Sequence, residues 1–134
     1  MGKYPDLTDA EGIIMEILWR DGHTKSSQIR KEVKDTLDWS RQTVNTYLNR
    51  LLDKGFIDIK KISSRIYEYF PVISREEYAA DRASSVMRKY YDGLSHMIAG
   101  FVENEDISHE DLDELDMLVK RLKKKGGKLD DINI

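Results

Sequence analysis

The stretch from Asp38 to Phe56, DWSRQTVNTYLNRLLDKGF, constrains the chain most, because it carries a pattern for burial and a pattern for contact on opposite sides of one helix. Val44, Tyr47, Leu48, Leu51 and Leu52 fall at the i, i+3, i+4, i+7, i+8 spacing of an apolar stripe about 100° wide. Ser40 is the expected N-cap, Arg41 to Lys54 the helix body and Gly55 the stop. The opposite face presents Arg41, Gln42, Thr43, Asn45, Thr46, Asn49 and Arg50, with no carboxylate before Asp53. In a chain with 25 acidic and 22 basic residues, such a face suits an anion.

The chemistry of that face matches a DNA major groove. Arg pairs bidentately with guanine, Gln and Asn pair with adenine, and a Thr methyl meets the thymine methyl. Ser40, Arg41 and Thr43 occupy the first turn, where open backbone N–H groups and the positive end of the helix dipole favour phosphate. A merely solvated polar face is the competing reading of this helix alone.

Size and charge narrow the choices. The 134 residues suffice for one compact domain, or a small domain with an appendage. No apolar run approaches the roughly 20 residues needed to span a bilayer. The segment MGKYPDLTD lacks the apolar stretch of a secretory signal, so a cytoplasmic location is expected. The chain has no cysteine, which excludes disulfides and thiolate metal sites. Residues 1–72 carry 12 Lys/Arg against 11 Asp/Glu, whereas residues 73–134 carry 10 against 14. One copy of so weakly basic a domain should bind DNA weakly at physiological salt, and two copies on a two-fold site would compensate.

Around the central helix the chain reads as follows. Thr8 to Glu11 has the form of a capping box opening a helix from Asp9 to about Arg20 that buries Ile13, Ile14, Ile17 and Leu18, stopped by Asp21-Gly22. His23 to Lys25 is a candidate edge strand. Ser26 or Ser27 then opens a second helix to about Thr36 that buries Ile29 and Val33, and Trp39 is expected to pack beneath the start of the third. After Gly55 two β-rich runs, Phe56 to Ile62 and Ile66 to Phe70, flank a Ser63-Ser64-Arg65 tip, with Lys60 and Lys61 alongside. Three helices followed by a basic-tipped hairpin is the order of a winged helix-turn-helix, whose third helix enters the major groove while the wing reaches the backbone.

Pro71 closes the sheet, and Ser74 to Glu77 is a second capping box whose helix is expected to run from Arg75 to near Gly100. An acidic loop, Glu103 to Asp106, leads to a last helix capped by Ser108, from His109 to about Lys125, with Leu112, Leu115, Leu118, Val119 and Leu122 on one face. Its terminal lysines answer the helix dipole without DNA. Two such amphipathic helices cannot be stable alone. They pair with the same helices of a second chain or fold back on their own first domain. The expected division is a winged-helix domain over 1–72, a helical dimerisation domain over 73–125 and a flexible tail over 126–134.

The motifs LTDAEGIIMEILW (Leu7 to Trp19), DWSRQTVNTYLNRLLDKGFI (Asp38 to Ile57), the wing through Tyr69, and GFVENEDIS (Gly100 to Ser108) followed by LDEL resemble the penicillinase-repressor (BlaI/MecI) family of bacterial regulators. The resemblance implies a homodimeric repressor on a palindromic operator of β-lactam-resistance genes, relieved by proteolysis through a membrane-bound sensor protease. It puts the scissile bond between Gly100 and Phe101. The chain departs from the pattern at Gly100, where cleaved members carry Asn, and at Gln42 and Asn45, where resistance repressors carry basic residues; Thr43 and Thr46 agree. Copper-responsive relatives use a cysteine-rich motif that this chain lacks.

The expected function is therefore DNA-binding repression without catalysis or cofactor. Gln42, Asn45 and Thr46 would read bases, Arg41, Thr43, Asn49 and Arg50 would hold phosphates, and Arg65 would hold the wing on the duplex. A winged-helix module that docks protein instead of DNA is the alternative, and steep salt dependence separates the two. His23, His96 and His109 are scattered, and no glycine-rich phosphate loop or zinc-binding helix motif occurs, which argues against an enzyme.

Overall fold

Thr8 opens the first helix, α1 (Asp9–Asp21), through a reciprocal capping box. Its hydroxyl accepts from the Glu11 N–H at 3.2 Å, and Glu11 Oε1 accepts from the Thr8 N–H at 2.8 Å. Gly22, at φ 71°, ends the helix with its N–H on the Leu18 carbonyl. The buried stripe of α1 is Glu11, Ile14, Met15 and Leu18, all fully covered, with Ile17 beside them. Ile13, expected in the core, instead lies at the edge of that stripe and is 37% exposed, while Met15 occupies the interior.

Strand β1 is only Thr24–Lys25, shorter than the His23 to Lys25 expected. Helix α2 (Ser26–Leu37) buries Ile29 and Val33. Its N-cap is Lys25 rather than a serine: Gln28 Oε1 accepts the Lys25 N–H at 2.9 Å, so Ser26 and Ser27 are already inside the first turn. Asp38, at φ 55° and ψ 35°, turns the chain through the left-handed region. Helix α3 follows as Arg41–Lys54. Its end has the two-bond closure of a Schellman motif, with the Phe56 N–H on the Leu51 carbonyl and the Gly55 N–H on that of Leu52. Gly55 sits at φ 80°, ψ 17°, where a Cβ would be strained.

The wing is β2 (Ile57–Lys61) and β3 (Tyr67–Pro71), paired antiparallel with Ile59 opposite Tyr69 and Lys61 opposite Tyr67. Strand β1 adds to the other side of β3, giving the order β1-β3-β2. Pro71 takes the last register position, opposite Ile57, where a missing N–H costs the ladder least. The core gathers α1, α2 and α3 side chains around Phe56, Ile57 and Ile73. This is a winged helix-turn-helix: mainly helical, with one small antiparallel sheet.

The computed structural model describes residues 2–126 and divides into two compact units, one through Ser85 and one from Val86. The first unit continues past the residue 72 expected from sequence, into α4 (Arg75–Tyr90). The cause is a set of bonds back to the start of the chain. The Asp81 carboxylate accepts the N–H groups of Lys3 and Tyr4 at 2.7 and 3.0 Å, the Tyr78 hydroxyl accepts that of Leu7 at 2.9 Å, and Arg82 donates to the Tyr4 carbonyl and pairs with Asp6. Tyr78 also meets the Phe56 ring edge-on at 5.5 Å. Ser74 and Glu77 form the second capping box.

The single helix expected from Arg75 to Gly100 is two. It breaks after Tyr90, and α5 runs Leu94–Glu103. Gly93, at φ 139°, makes a bend that other residues resist, and His96 Nδ1 accepts the Asp92 N–H at 3.0 Å to close the new start. Helix α6 (His109–Lys124) starts at a capping box between Ser108 and Asp111. Of the tail expected over 126–134, all but Gly126 lies outside the described residues. Among the described residues no helix is long and apolar enough to cross a membrane.

Candidate nucleic-acid interface

Helix α3 owes its position to its own apolar side. Val44, Leu48 and Leu51 are buried in the core, with Tyr47 and Leu52 packed against it at the margins. Helical geometry then turns Arg41, Gln42, Asn45, Thr46, Asn49 and Arg50 outward. Arg41, Gln42, Asn45, Thr46, Asn49 and Arg50 are exposed, and Thr43 is half-buried. Gln42, Asn45 and Asn49, at i, i+3 and i+7, line one ridge. Their amides supply donors and acceptors together, as a base edge requires.

The hydroxyls are spoken for locally. Ser40 Oγ accepts the Thr43 N–H at 3.1 Å and lies 2.9 Å from Thr43 Oγ1, so Thr43 belongs to the cap. Thr46 Oγ1 donates to the Gln42 carbonyl at 2.9 Å, which leaves its methyl as the group facing outward contact. Arg50 lies over the Tyr47 ring at 5.5 Å, and Tyr47 in turn packs on Trp39 with centroids 5.3 Å apart. Trp39 therefore buttresses α3 from its start, as its sequence position suggests, and steadies Arg50 through Tyr47.

Arg65 sits exposed at the wing tip. The Ile62 and Ser63 N–H groups both donate to the Ile66 carbonyl, at 2.8 and 3.2 Å, closing the loop beneath it. Lys60 stands opposite Glu68 in the ladder and Lys61 opposite Tyr67, so Lys61 is the wing lysine with no acid across from it. These residues and those of α3 belong to the first unit; Gly100 and Phe101 belong to the second. Both lie inside α5, half-buried, with the Gly100 carbonyl accepting the Asn104 N–H at 3.1 Å and the Phe101 carbonyl accepting that of Asp106 at 2.9 Å.

Two further features belong to this surface, the first of them formed by residues far apart in sequence. Lys54 Nζ donates to Glu11 Oε1 at 2.6 Å and to the Asp6 carbonyl at 3.0 Å, tying the end of α3 to the start of α1. Burial would raise the Glu11 carboxyl, but the Lys54 ammonium and the bonds from Thr8 hold it below the ordinary glutamate range. Glu11 is also the one fully buried acid among the described residues. The second feature is basic: Ser27, Arg30, Lys31 and Lys34 run along one side of α2 and face the start of α3 across a groove with Trp39 in its wall. Their i, i+3, i+4, i+7 spacing is the signal in the sequence that points to them. No group of acids and histidines among the described residues is arranged to hold a metal ion.

Several known proteins are similar to this chain in sequence or fold. The family model described as penicillinase repressor matches residues 7–121. A penicillinase repressor of Bacillus licheniformis is 32% identical over 124 residues, covering 92% of this chain and 96% of that protein. The methicillin resistance regulatory protein MecI of Staphylococcus aureus (strain N315) is 31% identical over 114 residues, covering 84% and 92%. Among solved structures, the DNA-binding domain of the repressor BlaI superposes with a TM-score of 0.52 at 33% identity, over 58% of this chain and 94% of that one. The monomeric form of Bacillus licheniformis BlaI in complex with the blaP half-operator gives 0.50 at 33% identity, with the same coverage.

Proposed function

We propose, from the premise that this chain belongs to the penicillinase repressor family, that it represses transcription as a homodimer seated on a palindromic DNA operator. The family is one of DNA-binding repressors, not enzymes. The observation that carries the reading is the outer face of α3, which runs from Arg41 to Arg50 without a carboxylate on a helix whose inner face is locked in the core. Gln42, Asn45 and Thr46 read base edges. Arg41, Thr43, Asn49 and Arg50 fix the register on phosphate, and Arg65 anchors the wing.

The second unit supports dimerisation. Neither α5 nor α6 has a buried residue, and Leu94, Val102 and Met117 are 58%, 42% and 71% exposed. Among the described residues every buried apolar side chain lies at or before Ile73. A helix pair with so much uncovered apolar surface is completed by a second copy. The names of its relatives make β-lactam-resistance genes the proposed targets. Relief comes from cutting between Gly100 and Phe101, driven by a membrane-bound sensor protease. Because that bond sits in α5 with both carbonyls engaged, the last turn must unwind first. Loss of α6 would then separate the protomers and drop affinity toward that of one weak module.

The experiment is a gel-shift titration on fragments that the full chain retains from its own genomic DNA. Asn45→Ala should cost about 1–3 kcal/mol on the true site and relax one base position, while Arg65→Ala should weaken all sequences alike. Intact binding in both variants would refute the groove assignment.

A further inference from the structure

We infer that the groove between α2 and the start of α3 seats a backbone phosphate of the DNA duplex, with Arg30 and Lys31 as its principal cations. The inference rests on the proposed DNA-binding reading and adds a contact outside the reading face of α3.

Four side chains of α2, Ser27, Arg30, Lys31 and Lys34, share the groove with Trp39 and Arg41. On the far side of the same helix Ile29 and Val33 are buried, so the basic row has a fixed direction rather than a free one. Several basic side chains elsewhere in the first unit meet acids. Arg20 pairs with Asp21 and Glu32, Lys54 with Glu11, Arg75 with Glu16, and Arg82 with Asp6 and Asp81. Within the groove Lys34 is held by Asp38 at 2.6 Å, an exposed pair that an incoming anion can share. Arg30, Lys31 and Arg41 have no carboxylate within ion-pair distance among the described residues. Like charges gathered without a counter-charge are unfavourable until an anion joins them.

The shape suits a phosphodiester. Arg30 and Lys31 supply charge-assisted donors and the Ser27 hydroxyl a neutral one. The first intrahelical bond of α3 is the Val44 N–H on the Ser40 carbonyl, and the Thr43 N–H is taken by Ser40 Oγ, so the Arg41 and Gln42 N–H groups precede both at the helix N-terminus, where Ser40 and Arg41 line the groove. Arg41 belongs to both surfaces. A duplex whose major groove holds the N-terminal half of α3 therefore runs one phosphate strand past α2. A free phosphate ion shares this chemistry but does not explain why the groove opens beside the reading face.

The test uses the full chain and its Arg30→Gln, Lys31→Gln double variant, titrated with random-sequence duplex DNA across a salt series. A phosphate contact is independent of sequence, so this probe needs no knowledge of the operator. Expected is a slope of log K against log salt smaller by about 0.9 for each phosphate no longer neutralised, and affinity lower by roughly tenfold at low salt. A charge-matched control, Lys123→Gln with Lys124→Gln on α6, should leave the slope unchanged. Equal slopes for wild type and the α2 variant would overturn the inference while leaving the α3 reading intact, as would an equal loss in the control, since net charge alone would then be acting. Calorimetric titration with inorganic phosphate separates the remaining source: tight binding of free phosphate that Arg30→Gln abolishes, with an unaltered DNA slope, also overturns it. Absence of any salt-dependent duplex binding by the wild type would instead remove the DNA reading itself.

Discussion

Removing the ammonium of Lys54 tests whether the recognition helix is held by the buried carboxylate it reaches. In Lys54→Met the stem is kept and the two bonds to Glu11 Oε1 and the Asp6 carbonyl are lost. Glu11 remains fully buried, and breaking a buried pair from one side costs about 3–5 kcal/mol because the other charge is left unmatched. The Lys54 side chain is 29% exposed and the Thr8 N–H still donates to Glu11, so the lower end applies, about 3 kcal/mol. For a unit of this size that is a fall in Tm of roughly 12–24 °C. Trp19 and Trp39 both lie in the first unit, so the fluorescence transition in urea or heat reports on it directly.

The pH dependence supplies the sign. In the wild type the Glu11 carboxyl is depressed, so its contribution is complete above the unfolded value of about 4.3 and is lost as pH falls below that toward the folded value. Without Lys54 burial dominates and raises the carboxyl, so the variant's deficit should be full at pH 7 and shrink toward a pH of about 4.5 as Glu11 takes up a proton. Glu11→Gln added to Lys54→Met should recover most of the loss, since a neutral amide needs no cation. A deficit under about 1 kcal/mol, or one equal at both pH values, would refute the argument.

Three further outcomes are expected. Ser40→Ala removes the acceptor for the Thr43 N–H and should destabilise the first unit by about 1 kcal/mol in urea titration. Gly93→Ala, at φ 139°, should destabilise the second unit by roughly 1–3 kcal/mol and lower helicity by circular dichroism without shifting the tryptophan transition. Leu115→Asp together with Leu118→Asp should turn the proposed dimer into a monomer in sedimentation equilibrium while the first unit melts as before.

Much of the interface is legible in short stretches of sequence. Ser40, the stripe from Val44 to Leu52 and Gly55 define α3 by signals only a few residues apart, and the outward face follows because a helix has no freedom to turn its polar side elsewhere. The hairpin is legible for the same reason, since alternation and a Ser-Ser-Arg tip act locally. Gly93 is a weaker signal: one glycine in a long apolar pattern does not mark a break until His96 closes the new helix start.

By itself, then, the sequence determined the three-helix and wing order, both ends of α3 and which of its residues face outward. Tertiary structure alone decided that Glu11 is interior and paired with Lys54, that Met15 rather than Ile13 fills the core, and that Asp81 and Arg82 extend the first unit through Ser85. The physical reason is separation along the chain: Glu11 and Lys54 are 43 residues apart and Lys3 and Asp81 are 78 apart. Caps, turns and periodicity are settled within one or two turns of backbone, whereas a partner for a buried charge exists only once distant helices have packed.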